Sequence, residues 1–342
     1  MSVEPEPVAN VLPSTRAHTA GSWFGNLVFL TSLAVAGIYL ASVFLGRFWP
    51  FELFTHFRFQ IAVVMLAIAV ALVFSKRGLW KWSFGCFTAS AVWSVVVILL
   101  PTDQPPPGND RLRVMSANIL NSNLRYDQFE QLVAKLDPDV LIALEYTYRW
   151  DQLVPLVKAQ YPYSAISPRD YGFGIAIFSK RPLRNVEEVL LDPSVDVPTL
   201  FCEIELSGQQ IGLAAVHTFS PLTLPRFETR NKQLHSLARW VAADDRPHIV
   251  AGDFNSTTWS PFVADFLHFS QLRDSRAGFG LQASWPQFNW LMLIPIDHAF
   301  ISREFYVHRR WVERDIGSDH YPIVIEISLA PNLRATGKVV GN

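Results

Sequence analysis

Long apolar runs occupy most of the first hundred residues and are separated by short polar links. Residues 24–45 are almost wholly apolar, residues 59–74 form a shorter run, and residues 82–100 form a third that ends before Pro101. At a rise of about 1.5 Å per residue, a run of this length crosses the ~30 Å hydrocarbon core of a bilayer as a helix. The pattern predicts a three-helix transmembrane bundle over residues 23–101, or two helices and an interfacial segment because the second run is short.

Polar segments flank these runs. Residues 1–22 contain three prolines and are predicted to be a flexible cytoplasmic tail, too long and too acidic for the charged start of a signal peptide. Residues 102–110 are rich in proline and are predicted to form a semi-rigid linker of about 3 Å per residue where extended. Residues 331–342 are predicted to be a flexible C-terminal tail.

After residue 110 the pattern changes to short apolar strands that alternate with amphipathic helices. Strand-like runs lie at residues 112–117, 139–144, 173–178, 200–206, 211–216, 248–252, 296–301, 306–312 and 323–327, and helical spacing lies at residues 126–136 and 225–242. Strands mixed with interposed helices favour an α/β domain in which helices cover mixed sheets. We therefore predict one domain over residues 111–330.

The charges in the links orient the predicted bundle. Lys76, Arg77 and Lys81 lie between the second and third runs, in a link without acidic residues. The positive-inside rule places this link in the cytoplasm, and therefore places the domain after the third run outside. Arg47 and Arg58 in the first link weaken this bias. The middle of each run lacks ionisable residues, so we do not expect an ion path through the membrane.

Composition limits the classes of partner. The 342 residues are 50% hydrophobic and 17% charged, and residues 1–101 hold six basic and three acidic side chains, so the rest of the chain holds 23 basic and 27 acidic side chains, a net charge of −4. A nuclease that grips a long duplex usually has a basic surplus. The charge therefore disfavours nucleic acid, although four arginines could form a local basic cleft: Arg226, Arg230, Arg273 and Arg276. The two cysteines predict neither a disulfide framework nor a zinc cluster.

Polar residues follow several of the predicted strands. Asn118, Glu145 and His217 each stand at or just after a strand end, and the segment HIVAGDFNSTTWSP places Asp253 and Asn255 at another. Each residue alone has an ordinary structural explanation as a turn residue or a satisfied core histidine. Together they favour a site where rigid strands give way to loops. An acid and an amide two residues apart suit a hard divalent cation and a phosphate oxygen.

A last polar group lies near the C-terminal end. Asp297 stands in IPIDHAF, and Asp319 and His320 stand in GSDHYP. An aspartate beside a histidine fixes the tautomer of the imidazole and raises its basicity. In-line attack on phosphorus needs a cation, an activated water and donors aimed at the developing charge. The sequence leaves open which group takes the proton.

The order Asn, Glu, His, Asp-x-Asn, Asp and Asp-His over residues 111–328 resembles the endonuclease/exonuclease/phosphatase superfamily, which includes DNase I-like nucleases, inositol polyphosphate 5-phosphatases and bacterial sphingomyelinases. The resemblance implies a four-layer α/β sandwich, in which two mixed sheets are flanked by helices and the site lies between the sheets. It also implies a phosphoesterase that depends on Mg²⁺ or, as an alternative, Mn²⁺.

The resemblance also implies a role for each residue of this chain that matches the family's motifs. Three residues match the metal shell: Asn118, Glu145 and Asp319. Five match groups that act on the phosphate or on the attacking water: His217, Asp253, Asn255, Asp297 and His320. Among these, Asp253 and Asn255 match the pair that positions the water. His217 matches the histidine that contacts the phosphate or aids departure of the leaving group, and Asp297 matches the acid that orients His320.

The whole layout resembles a narrower group, the bacterial teicoplanin-resistance-type membrane phosphatases. Shared features are the tail, three membrane helices, the linker, Ser-Trp-Pro at residues 284–286 and Trp-Ser-Pro after GDFN. The resemblance implies hydrolysis of a lipid-linked phosphate or pyrophosphate, such as the polyprenyl carrier of wall synthesis, at the outer face of a bacterial inner membrane. Candidate substrate-binding residues are Tyr171, Arg230 and Trp259.

Three alternatives stay open. The apolar segment at residues 288–295 either lines a path for an acyl or prenyl chain or is a buried strand that leads into Asp297. The chain could be an extracytoplasmic endonuclease or exonuclease, which predicts a basic cleft. It could also be a non-catalytic membrane protein with a degenerate domain, but the full set of acids, amides and histidines disfavours this reading.

Overall fold

The computed structural model describes residues 16–73 and 78–331. Most of the predicted N-terminal tail, the link residues Lys76 and Arg77, and residues 332–342 of the predicted C-terminal tail lie outside the described residues. Four helices form the helical region: α1 (Arg16–Phe44), α2 (Glu52–Thr55), α3 (Arg58–Val73) and α4 (Gly78–Leu99). The helix α1 begins inside the segment predicted to be a flexible tail, and Lys81, which was assigned to a link, lies in α4.

The helices of the helical region are apolar on most of their outer surface. Among the described residues, Gly25–Phe44 and Trp80–Leu99 are long and apolar enough to cross a membrane, whereas Arg58–Val73 is apolar but shorter. Only 22% of each of the two long segments is buried. A core helix of a water-soluble protein would be mostly buried, so these helices present an unusually large apolar surface.

The sheet domain follows the linker. Its elements in chain order are β1 (Arg111–Asn118), α5 (Tyr126–Leu136), β2 (Val140–Leu144), α6 (Tyr148–Leu153), α7 (Pro155–Gln160), β3 (Tyr163–Ser167), β4 (Ile175–Ser179), β5 (Arg184–Leu190), β6 (Pro198–Leu206), β7 (Gln209–His217), α8 (Leu224–Ala242), β8 (His248–Asp253), α9 (Pro261–Ser270), β9 (Arg273–Asp274), β10 (Asp297–Ile301), β11 (Phe305–Val312) and β12 (Ile323–Leu329). The hydrophobic pattern missed β3, β5, β9, α6, α7 and α9. The strand β5 carries no fully buried residue, and α6 and α7 have only six residues each, so the apolar period is weak there.

The strands form two six-stranded sheets. The order in the first sheet is β11-β12-β1-β2-β4-β3, and the order in the second is β5-β6-β7-β8-β10-β9. The pairs β1–β2 and β7–β8 are parallel and the other pairs are antiparallel, so both sheets are mixed.

Neighbouring residues on each strand face different layers. Val114 and Ile142 of the first sheet pack in the same core as Leu213 of the second sheet, between the two sheets. Met115, the next residue after Val114, packs with Phe129 of α5 on the outer face. The helices α8 and α9 cover the outer face of the second sheet in the same way. This alternation confirms two mixed sheets flanked by helices, in four layers.

The linker lies against the sheet domain. Gln104 accepts a hydrogen bond of 2.6 Å from the backbone N–H of Val307, and the Gly108 N–H donates to Ser328 at 3.0 Å. Asp110 pairs with Arg181 at 2.8 Å. The first two bonds hold the linker along β11 and β12, and the third ties its end to the segment after β4, so the linker does not act as a free spacer between the helical region and the sheet domain.

Candidate functional site

Three neighbouring strands bring His217, Asp253 and Asp297 side by side. The parallel pairing of β7 and β8 sets His217 opposite Asp253, and the antiparallel pairing of β8 and β10 sets Asp253 opposite Asp297. All three side chains are buried, and His217 Nε2 lies 3.5 Å from Asp253 Oδ2. The register of the second sheet therefore places one imidazole and two carboxyl groups at the same strand ends.

Asn118 connects this group to the first sheet. Its Nδ2 donates to Glu145 Oε1 at 3.1 Å and to Asp253 Oδ2 at 3.2 Å. Its Oδ1 accepts from the Leu120 N–H at 3.1 Å, which fixes the orientation of the amide. Because Glu145 follows β2 and Asp253 ends β8, this one amide spans the gap between the two sheets.

Glu145 turns towards the cleft through an unusual backbone conformation. Its φ is +62°, in the left-handed region that most residues other than glycine avoid. Its Oε2 accepts from the Asn121 N–H at 2.9 Å. Burial raises the pKa of Glu145 despite the hydrogen bonds from Asn121 and Asn118, and the charge of Asp319 adds to the rise. The raised pKa marks a carboxylate that lacks a sufficient positive partner.

His320 is held by an aspartate on a neighbouring strand. Its Nδ1 donates to Asp297 Oδ2 at 2.9 Å, and its Nε2 lies 3.7 Å from Asp253 Oδ2. Burial opposes the charged imidazole, but Asp297 and Asp253 outweigh it and raise the pKa of His320 to about 10. Burial raises the pKa of Asp253 to about 6, and the charge of Asp297 contributes to the rise. The imidazole is therefore a cation between two acids.

The turn that carries Asp319 and His320 is fastened on two sides. Ser318 Oγ donates to the backbone oxygen of Asn118 at 2.7 Å and accepts from the His320 N–H at 3.1 Å. Trp285 Nε1 donates to Asp319 Oδ2 at 3.0 Å. Asp319 Oδ1 is buried and has no hydrogen-bond partner among the described residues. This unpaired oxygen is available to a ligand of the site.

Asn255 follows Asp253 in a second left-handed position, with φ of +47°. Its N–H donates to Asp253 Oδ1 at 2.7 Å, and its side-chain Nδ2 donates to the Thr218 carbonyl at 2.8 Å. Gly252, before Asp253, has no room for a side chain, because an added Cβ would lie 1.8 Å from the Val216 carbonyl oxygen. The Asn255 N–H therefore fixes the direction of the Asp253 carboxylate, and Gly252 lets β8 pass close to β7.

The three candidate substrate-binding residues lie apart from this group. Tyr171 is exposed, and its hydroxyl contacts Asp196, although the adjacent Gly172 faces Glu145. Arg230 is buried and pairs with Glu52 of the helical region at 3.0 Å. Trp259 is also buried and donates to the Ser94 carbonyl of α4 at 3.1 Å. Arg230 and Trp259 thus fasten the sheet domain to the helical region in this structure.

Two contributors were not predicted as site residues, although one of them, Trp285, stands in the Ser-Trp-Pro motif. The Asn121 backbone N–H and the Trp285 indole each hold an acid of the site, and their role depends on the path of a loop. The apolar segment at residues 288–295 is a loop in the structure, since its described pairing is limited to an isolated bridge between Trp285 and Ile294. Of the two alternatives left open for this segment, the buried strand is therefore wrong, because five consecutive side chains from Phe288 to Met292 do not enter the core.

The donor set fits a hard divalent cation. Asp253, Asp297 and His320 offer ligand atoms within 4.8 Å of one another. Asp297 and His320 already satisfy each other, whereas Asp319 Oδ1 has no hydrogen-bond partner among the described residues and burial raises the pKa of Glu145, so these two carboxylates could also hold a cation. Carboxylate and amide oxygens are the ligands that Mg²⁺ and Mn²⁺ prefer. A cation there would offset the charge of several buried acids.

Comparisons with solved structures give the same fold. D. rerio TDP2 in complex with a single-strand DNA product matches with a TM-score of 0.56 and 19% identity, over 64% of this chain and 100% of that chain. The human Nocturnin catalytic domain with bound sulfate matches with a TM-score of 0.53 and 20% identity, over 64% and 94%. An endonuclease/exonuclease/phosphatase from Beutenbergia cavernae matches with a TM-score of 0.53 and 19% identity, over 66% and 73%. At this identity the likeness shows the fold alone.

The comparison with curated proteins finds no match. A family model does match, over residues 115–320, and this span contains every acid, amide and histidine of the site. Members of that family are metal-dependent hydrolases that act on phosphoester bonds. The two mixed sheets and the strand-end site agree with the match. This chain belongs to the endonuclease/exonuclease/phosphatase family.

Proposed function

We propose that the protein is a membrane-anchored, divalent-metal-dependent phosphoesterase that hydrolyses a lipid-linked phosphate or pyrophosphate at the outer face of a bacterial inner membrane. The observation that carries the hydrolase part is the shared amide of Asn118, which joins Glu145 and Asp253 from different sheets. Such a junction concentrates acids and donors from distant parts of the chain in one cleft. Phosphoryl transfer needs this combination of positioning and charge stabilisation.

The proposed roles follow from the contacts. Mg²⁺ or Mn²⁺, held by Glu145 with Asn118 and Asp319, would neutralise the non-bridging oxygens of the phosphate. Asp253, whose carboxylate is fixed by the Asn255 N–H, orients the attacking water. His320, held by Asp297, aims its Nε2 at the same space as Asp253 and donates to the phosphate. His217 Nε2 lies 3.5 Å from the same Asp253 oxygen and would assist departure of the leaving group.

The helical region supports a membrane anchor. The two long apolar helices are only 22% buried, so most of their apolar surface needs a partner that is not water. The link between α1 and α3 contacts the sheet domain through Glu52 and Arg47, and α4 contacts it through Ser94. These contacts set the sheet domain at one end of the helices. An enzyme in that position acts at the membrane surface.

The arginines favour a lipid over a long nucleic acid. Arg230 is paired with Glu52, Arg276 with Asp274, and Arg273 donates to the Phe305 carbonyl, so these three are engaged within the protein. The chain after residue 101 also has a net charge of −4. Nuclease activity remains the second candidate, because the similar D. rerio TDP2 structure holds a DNA product.

A substrate panel tests the proposal. Full-length protein in detergent is incubated with prenyl pyrophosphate, sphingomyelin or plasmid DNA, in the presence of Mg²⁺ or EDTA. We expect phosphate release from the prenyl pyrophosphate with Mg²⁺ and none with EDTA, Glu145→Ala or His320→Ala. Cleavage of DNA alone would assign the second candidate instead. Equal lipid hydrolysis by the wild type and both variants would refute the site.

Topology is tested separately. Reporter fusions after Leu100 and at Lys76 should report opposite compartments, with the reporter after Leu100 outside the cell. A cytoplasmic reporter after Leu100 would remove the outer-face part of the proposal and leave the hydrolase part intact.

A further inference from the structure

An apolar cavity lies between the helical region and the catalytic group, the name used here for the acids, amides and histidines of the candidate site. Its volume is about 410 Å³, within the ~300–1,000 Å³ range of small-molecule sites. We propose that this cavity binds the hydrocarbon segment next to the phosphate of the substrate, and thereby selects a prenyl or acyl chain over a water-soluble ester. The inference rests on the proposed phosphoesterase function and adds the site that recognises the lipid part.

The cavity has walls from both parts of the protein. Leu53, His56 and Phe57 from the link between α1 and α3 form one wall. The loop of residues 285–296, which we call the apolar loop, forms the opposite wall and contributes Trp285 and Met292. The Gln60 side chain of α3 donates to the Leu293 carbonyl at 3.0 Å. This bond holds the apolar loop against the helical region and keeps the cavity between them.

The lining excludes a charged ligand. His56 is the single ionisable residue among those that line the cavity in the described part of the chain. Its two ring nitrogens are engaged, Nε2 with Glu52 at 3.2 Å and Nδ1 with Thr257 at 3.2 Å. The other lining residues are apolar, apart from one serine and two asparagines. Apolar surface of this kind binds hydrocarbon by removing it from water.

The inner end of the cavity meets the catalytic group. Asn255 lines the cavity and holds the Asp253 carboxylate with its N–H. Trp285 also lines the cavity and holds the Asp319 carboxylate with its indole. A phosphate among these acids would therefore have its ester substituent directed into the apolar space. One continuous site would therefore bind both the phosphate and the hydrocarbon chain attached to it.

The outer end opens beside an exposed apolar surface. Phe288 is 76% exposed and Trp290 is 80% exposed, and Leu291 next to them is also exposed. Apolar side chains this exposed in one short loop mark a contact with a membrane or another partner. The loop is fastened to α3, and indole rings favour the membrane interface. The contact is therefore the bilayer, from which a lipid chain reaches the cavity without crossing water.

Filling the cavity tests the inference. Leu53→Trp and Met292→Trp each add a ring to an opposite wall, and Leu156→Trp on the exposed face of α7 is the matched control. The substrates are farnesyl pyrophosphate and isopentenyl pyrophosphate, which share a headgroup and differ in chain length. Since one methylene of misfit in an apolar pocket changes kcat/KM by roughly 10–200-fold, we expect about a tenfold loss for the farnesyl substrate in both filling variants.

Isopentenyl pyrophosphate distinguishes a loss of chain binding in the cavity from a general loss of catalytic activity. Hydrolysis of isopentenyl pyrophosphate should be unchanged in Leu156→Trp, and in both filling variants it should fall less than hydrolysis of the farnesyl substrate, because the shorter chain fills less of the cavity. If the wild type cleaves both substrates with equal kcat/KM, or if both filling variants reduce both substrates equally, the cavity does not select the chain. If no phosphate ester is cleaved by the wild type, the proposed function fails instead.

Photocrosslinking measures binding of a hydrocarbon chain in the cavity independently of catalysis. A photoreactive diazirine analogue of farnesol, which lacks phosphate, is crosslinked to full-length protein in EDTA, and the labelled residues are found by mass spectrometry. We expect label on residues 53–57 and on the apolar loop, and its reduction in Met292→Trp. Label spread only over the outer surfaces of α1 and α4 would mean detergent-like partition and would overturn the inference.

Discussion

The Glu52 carboxylate of α2 lies 3.0 Å from the Arg230 guanidinium of α8, and both side chains are fully buried. Ser260 donates to the same carboxylate at 2.6 Å, and His56 lies 3.2 Å from its other oxygen. Burial opposes the charge of Glu52, but His56 and Arg230 outweigh it and hold its pKa at about 2. Arg230 also contacts Ser256. Through Arg230 and Ser260, Glu52 of the helical region therefore contacts the segment that directly follows Asn255.

Removal of one member of this pair should destabilise the protein strongly. Glu52→Gln leaves the Arg230 charge buried without its partner, and breaking a buried pair in this way costs about 3–5 kcal/mol. Thermal unfolding of full-length protein in detergent measures the loss. Arg47→Gln is the matched control, because its pair with Asp265 is exposed and such pairs contribute about 0–1 kcal/mol. Equal melting temperatures for the two variants would contradict the structural role of Glu52.

Glu145→Gln should separate metal binding from folding. The carboxylate is buried near other acids, so its replacement by a neutral amide removes repulsion in the metal-free protein. We expect an unchanged or higher melting temperature in EDTA and no phosphoesterase activity. Added Mg²⁺ at 100 times its Kd should stabilise the wild type by about 2.7 kcal/mol and the variant far less. Equal stabilisation of both proteins by Mg²⁺ would exclude Glu145 as a ligand.

Asp297→Asn should impair catalysis without unfolding the protein. The aspartate accepts the Nδ1 proton of His320 at 2.9 Å, and asparagine is of similar size but lacks the negative charge. Loss of a positioned acid–base partner lowers rates by roughly 10²–10⁴-fold. The measurement is kcat with saturating substrate, with circular dichroism as the control for folding. Activity within a few-fold of the wild type would show that the pair does not act in the reaction.

Trp285→Phe should weaken metal binding through Asp319. The substitution keeps a ring of similar shape but removes the N–H that holds Asp319 Oδ2 at 3.0 Å. Loss of a hydrogen bond to a metal ligand lowers affinity or activity by roughly 10–100-fold. The Mg²⁺ dependence of the rate measures this change. Trp311→Phe is the control, since Trp311 donates to Glu313 away from the site, and an equal effect in both variants would argue against the assignment.

Much of the site was predictable from local pattern. Asn118, Asp253 and Asp297 stand at the ends of apolar strands, and the pairing of β8 with β10 in the second sheet brings Asp253 and Asp297 together. The helix at residues 126–136 was also predicted with its observed bounds, since its apolar residues recur at helical spacing and face the first sheet. Strong local periodicity and the turn from strand to loop carry this information within a few residues.

The sequence by itself determined the strand-end acids, amides and histidines and the apolar helices that precede them. Only the tertiary structure decided that Arg230 pairs with Glu52, 178 positions away, and that Trp259 packs on the helical region. It also decided that the apolar loop lies open beside a cavity. Local pattern reports which residues prefer to be buried, but the partner of a buried charge depends on how distant segments pack. The pairing of Arg230 with Glu52 therefore depends on the packing of the whole chain, because the two charges are buried only when they are buried together.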